Sequence, residues 1–198
     1  MKAKIILISC ISFLAVFMLL SVLPVNGEEE IYDNMIRLHV LANSDSKEDQ
    51  ALKLKVRDAV LKATESIEAE DPEEAYIKTE AALEMLEKAA EDRVRAEGYD
   101  YEVNVTLSEE RYPEREYEGF TLPEGTYTSL RVLIGEAEGK NWWCVLYPPL
   151  CTTSATETEE VFIAAGFTKG QYKAITESEN KTYKIKFKIV EIVKELFA

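Results

Sequence analysis

The chain has 198 residues and a formal charge of −14, from 37 acidic and 23 basic side chains, with one histidine. That balance argues against binding DNA, RNA or an anionic lipid surface, each of which calls for clustered lysine and arginine. A single imidazole also cannot complete an ordinary zinc site.

Lys2 and Lys4 precede an uncharged run from Ile5 to Leu23. A run of that length can cross a bilayer as a helix, since about 20 apolar residues match the hydrocarbon core. Pro24 breaks it, and Val25, Asn26 and Gly27 offer small residues to a signal peptidase. The cationic start should stay in the cytoplasm, which sends everything after the run outside. Residues 1–27 are therefore expected to be a cleaved signal peptide or a retained membrane anchor. Residues 28–198 are expected to form a single extracytoplasmic domain. Leu7 to Cys10 faintly resembles a lipoprotein processing site, but the apolar run continues well past Cys10, so lipidation there is not expected. Loss of residues 1–27 removes Lys2 and Lys4 and takes the charge to −16.

Ile36, Leu38 and Val40 alternate with Arg37, His39 and Leu41, which predicts a strand. Asn43 to Ser46 breaks it. Ser46 with Asp49, or Asp45 with Glu48, has capping-box spacing, so a helix should follow to about Thr64 with Leu52, Val56, Ala59, Val60 and Ala63 buried. Asp71-Pro72-Glu73-Glu74 opens a second helix, with Ala75, Ala82, Leu83, Leu86, Ala90 and Val94 on one stripe and Gly98 as its stop. Tyr99 to Ser108 alternates strictly and predicts a strand. A short strand is expected over Arg115 to Phe120, and another over Thr126 to Glu136 with Thr128, Leu130, Val132 and Ile134 on one face. Glu138 to Asn141 reads as a turn, which pairs Trp142 to Tyr147 back on that strand as a hairpin ended by Pro148 and Pro149. Glu157 to Ala165 reads as a helix stopped by Gly166. The run around Ile185, Ile189, Ile192, Val193 and Leu196 favours helix on length. The order implies an α+β fold, with helices packed on a mostly antiparallel sheet and a signal or anchor helix ahead of it.

Cys144 and Cys151 remain once the leader is set aside. Outside the membrane an even pair invites a disulfide, while two buried free thiols stay open as the alternative. Cys144 could instead act with His39 in a thiol-dependent extracytoplasmic enzyme, if the two lie within hydrogen-bond reach. Asp45, Glu48 and Asp49 lack the alternating ligands and glycine of a calcium loop, and capping explains them. No glycine-rich phosphate loop or nucleophile elbow is present, and neither metal nor cofactor is expected. Trp142 and Trp143 point to opposite faces of their strand, so one can be core while its neighbour faces outward.

Two stretches carry a resemblance. Ile36 to Ser46 (IRLHVLANSDS), followed by Glu48 to Lys53 and Val56 to Asp58, resembles the start of the stage II sporulation protein R family. Asn141 to Cys151 (NWWCVLYPPLC) resembles its second signature. The likeness covers about Ile36 to Cys151. It implies a secreted signal of endospore formation, exported into the space between forespore and mother cell. Its partner there would be a membrane-embedded aspartic protease of the mother cell, which it activates to process the precursor of sigma factor E. The resemblance implies an activator that is not itself an enzyme, and it supplies no catalytic residue. Contact with the membrane is expected only through residues 1–27, if these are uncleaved. Loops and exposed aromatics carry recognition, so Trp143, Tyr147 and the turn Asn43, Ser44 and Asp45 are expected near the receptor contact. The alternatives are the thiol enzyme and an envelope scaffold held by an uncleaved anchor.

Overall fold

The computed structural model describes residues 12–13, 32–151 and 158–176. The expected leader helix, apart from Ser12 and Phe13, and the C-terminal run from Ile185 to Leu196 lie outside the described residues. Among the described residues no helix is long and apolar enough to cross a membrane. The elements are β1 (Ile36–Leu41), α1 (Lys47–Thr64), α2 (Pro72–Ala81), α3 (Leu83–Ala96), β2 (Val103–Tyr112), β3 (Arg115–Tyr117), β4 (Phe120–Leu122), β5 (Gly125–Ile134), β6 (Asn141–Tyr147), α4 (Thr158–Ala164) and α5 (Lys169–Thr176). This is an α+β fold.

The main sheet runs β2-β5-β1-β6. β1 is parallel to β5 and antiparallel to β6, and β2 is antiparallel to β5. One face carries Leu38, Val40, Val103, Val105, Leu130, Val132 and Ile134, all buried. On it α1 and α2 pack against β1, and α3 packs against α1 and β2. Leu52, Val56 and Val60 of α1 and Leu86, Ala90 and Val94 of α3 supply the matching stripes at helical spacing. Ala59 and Ala63 are only half-buried, at the edge of the α1 stripe.

Three expectations are corrected. The helix opened by Asp71 is two helices that meet at Ala82, where ψ opens to −1 (φ −93). No proline or glycine marks that break. The first piece packs against β1 and the second against β2. Second, the segment from Arg115 is a β3–β4 hairpin, with Gly119 at φ +91 taking a backbone conformation that side chains disfavour. Third, β5 and β6 are not paired. β1 lies between them, and residues 135–140 cross over its end, held there by Glu138 N–H to the Asn43 carbonyl (3.2 Å) and Gly139 N–H to the Ala42 carbonyl (2.9 Å). A central strand from the start of the chain gains two ladders by this insertion, and a local β5–β6 pair would have left it at an edge.

β2 is displaced from its expected span, beginning at Val103 and reaching Tyr112. Ser46 caps α1, its Oγ accepting from Asp49 N–H at 3.0 Å, and Asp71 caps α2 by accepting from Glu74 N–H at 2.8 Å. Gly98 and Gly166 sit just past α3 and α4, each at positive φ, as stops of the expected kind. α5 has no counterpart in the sequence reading.

The second face of the sheet is built differently. It carries Arg37, His39, Glu110, Tyr112, Tyr127, Ser129, Arg131 and Trp143. The hairpin covers part of it: Tyr117 of β3 bonds Arg37, and Arg115 lies over Trp143. α4 packs on the hairpin, with Phe162 edge-on to Phe120 at 5.6 Å, and Phe167 and Tyr172 close around Phe162.

Candidate functional site: the two signature stretches

Most of the polar side chains of the first stretch bond within the molecule, although Asp45 and Ser46 are exposed. Asn43 Oδ1 accepts from Glu136 N–H (3.0 Å), and its Nδ2 donates to Asp49 Oδ2 (2.9 Å). Ser44 Oγ donates to the same carboxylate oxygen at 2.6 Å. Asp45 Oδ1 accepts from Lys140 N–H at 2.7 Å. Lys53, buried on α1, donates to the Lys140 carbonyl (2.8 Å) and to Gln50 (2.7 Å). Burial pushes the Lys53 ammonium below its ordinary range. The Ser44 and Asn43 donors hold the buried Asp49 carboxyl below the usual aspartate range. Gly135, at φ +58, lies against Asn43, where a β-carbon would collide with the amide. The turn is thus a latch. It fastens the β5–β6 crossover over the end of β1 through the side chains of Asn43 and Asp45, while Ser44 bonds Asp49 and the Ser46 N–H within the turn.

β1 then carries two charged or polar residues into the interior. Arg37 is fully buried. Its Nε donates to the Cys144 carbonyl at 3.2 Å, an Nη donates to the Tyr117 hydroxyl, and Nη1 has no hydrogen-bond partner among the described residues. The guanidinium lies 4.2 Å from the Tyr112 ring centroid and 4.9 Å from that of Tyr127, so aromatic faces replace a carboxylate as its partner. Burial pushes the hydroxyls of Tyr112 and Tyr127 well up. His39 Nδ1 faces Glu110 at 2.9 Å and Nε2 faces Asn141 Oδ1 at 2.8 Å. Glu110 also accepts from Ser129 Oγ (2.9 Å), which is 2.7 Å from the Tyr112 hydroxyl. Sequence reading named His39 but missed Arg37, Glu110 and Ser129. They stand far apart in the chain, and only strand register brings them together.

The second stretch is mostly engaged as well, with one polar group left over. Trp142 and Trp143 do lie on opposite faces, but both are half-buried and each sits beneath an arginine: Arg57 over Trp142 at 4.7 Å, Arg115 over Trp143 at 3.9 Å. Trp143 also packs against His39, with ring centroids 5.5 Å apart. Cys144 and Cys151 are disulfide-bonded, their α-carbons 5.7 Å apart. Cys144 pairs with Leu38 and so shares the helix-bearing face, while His39 lies on the other. The strand pleat therefore separates the two residues that a thiol mechanism would need together. The β1–β6 register shifts at Ile36/Arg37, which makes Leu146 an extra residue and brings Tyr147 opposite Ile36 on the helix side. The Tyr147 hydroxyl is buried and has no hydrogen-bond partner among the described residues.

The comparisons bear on this pair of stretches. The family model for stage II sporulation protein R matches residues 32–157, which spans both. The chain is also similar to Stage II sporulation protein R of Bacillus subtilis (strain 168), 32% identical over 188 residues that cover 85% of this chain and 84% of that protein. No solved structure matches. An α+β domain with a latched sheet and an aromatic strand end thus falls into a class of sporulation proteins. The chain belongs to the stage II sporulation protein R family.

Proposed function

We propose that this chain is a secreted signal of endospore formation. It is exported past a membrane and activates a membrane-embedded aspartic protease of the mother cell, which then processes the precursor of sigma factor E. It acts by contact and makes or breaks no bond of its own. The observation that carries this reading is the family match over residues 32–157, within which both signature stretches lie. The cationic, apolar leader supports export. The Cys144–Cys151 bridge suits the oxidising side of a membrane. The half-buried Trp143 of β6 supplies the kind of surface that receptors grip.

Complementation tests the reading. The chain is expressed in a sporulating strain that lacks its own signal protein, and processing of the sigma-factor precursor is followed. Restored processing is expected. A strain that makes and exports the protein yet leaves the precursor intact would contradict the proposal.

A further inference from the structure

The bulge in β6 has built a groove on the helix side of the sheet. Leu61 at the end of α1, Ile67 in the loop after it, Ala75 of α2, and Leu146, Tyr147 and Cys151 from the β6 end line a cavity of about 350 Å³. The walls are mostly apolar. Tyr147, only 8% exposed as a residue, brings a polar group to this wall: its hydroxyl is buried and has no hydrogen-bond partner among the described residues. A buried hydroxyl without a partner is costly and uncommon, and it is satisfied at once if a ligand presents an acceptor.

The rim has one sign of charge. Glu65 and Glu68 line it, and neither carboxylate forms an ion pair among the described residues. Asp71 and Glu74 are near enough that their charges, behind burial, raise the Tyr147 hydroxyl. Lys78 is present but paired with Glu74 at 2.7 Å and bonded to the Glu68 carbonyl. An apolar hole within an acidic rim, with an unsatisfied hydroxyl on a lining residue, describes its complement.

We propose that this groove receives an apolar side chain of a basic peptide segment of the partner, with a backbone carbonyl of that segment accepting from the Tyr147 hydroxyl and flanking lysine or arginine lying on Glu65 and Glu68. The inference rests on the reading that the chain works by touching a protein, and it names the chemistry of the contact. The volume is at the small end of ligand pockets, about 300–1,000 Å³, which suits one large side chain and not a whole helix.

The test uses the purified chain and blocked hexapeptides as probes: a Leu-Phe core flanked by lysines, the same core flanked by glutamates, and a Ser-Ser core flanked by lysines. Binding is followed by chemical-shift change at the groove residues. The lysine-flanked apolar peptide is expected to bind, its glutamate counterpart at least about ten-fold more weakly, and the serine peptide not at all. Ala69→Trp, which fills the groove from its half-exposed loop, is expected to abolish binding at an unchanged melting temperature. Tyr147→Phe keeps the shape and removes only the hydroxyl, so it stays informative should the tryptophan variant fail to fold; about three- to ten-fold weaker binding is expected. Equal binding of both charge forms would overturn the proposal. So would binding that survives Ala69→Trp, or capture by phosphatidylcholine vesicles with no response to any peptide. Peptide binding in a chain that fails to restore precursor processing would sink the signalling reading and leave the groove standing. Restored processing with no peptide binding would sink the groove alone.

Discussion

The turn at Asn43–Asp45 and the strand end at Trp143–Cys151 look equally suited to recognition in the sequence, and the fold treats them in opposite ways. In the turn, the Asn43 amide, the Ser44 hydroxyl and a carboxylate oxygen of Asp45 all have partners inside the molecule. At the strand end, a half-buried tryptophan and a buried hydroxyl without a partner among the described residues remain. A polar loop whose side chains are spent on backbone amides has little left to offer a receptor. Hydrogen-bond satisfaction, more than residue type, separates the latch from the surface available for contact.

The comparison is broken most severely at Asp49. Asp49→Ala leaves Asn43 Nδ2 and Ser44 Oγ without their acceptor, and a loss of about 3 kcal/mol in chemical denaturation is expected. The same carboxylate gives a pH signature. Its folded value is depressed below the ordinary 3.8, so its contribution is fully present above that pH and is lost as pH falls through the folded value. Asp49→Asn should flatten the acid limb of a stability profile relative to the unmodified chain.

Next in size, replacing Cys144 and Cys151 together by serine opens a short closed loop, and about 2 kcal/mol should go. Reductant should then no longer change the melting temperature, which would drop in the unmodified chain. Trp143→Ala sharpens the comparison from the other side. It removes a half-buried ring that touches His39 and Arg115, for an expected 1–2 kcal/mol by about the measure of partly buried aromatics. Its precursor processing should fall further than the loss of folded protein explains. Smallest is Tyr147→Phe. Removing a hydroxyl that bonds nothing among the described residues should leave the melting temperature the same or slightly higher.

Much of this architecture was legible because local signals agreed with the fold. The alternation of Ile36, Leu38 and Val40, the caps at Ser46 and Asp71, and the glycines after α3 and α4 each report on a few neighbouring residues. What stayed hidden depended on residues far apart. Arg37 and His39 alternate with the apolar residues of their strand, and they are buried because a hairpin from residues 115–122 and the tyrosines of β2 and β5 close over them. β5 and β6, joined by a short turn, have the pattern of a hairpin; only the latch residues Asn43 and Asp45, about a hundred positions away in the chain, show that β1 is inserted between them. The break at Ala82 leaves no local mark. At the site, residue type pointed to Cys144, Cys151, Trp143 and Tyr147, but the side of the sheet that Tyr147 faces follows from the β-bulge, which no local pattern announces.

The most direct measurement is the amount of processed sigma-factor precursor per unit of folded, exported protein, compared for Asp49→Ala and Trp143→Ala in the same sporulating strain. Damage to the latch should lower processing only in step with the folded fraction, while loss of the half-buried Trp143 ring should push it well below that line. Equal specific activity in both variants, or a larger specific defect in Asp49→Ala, would contradict the division of the molecule into a latch and a contact end.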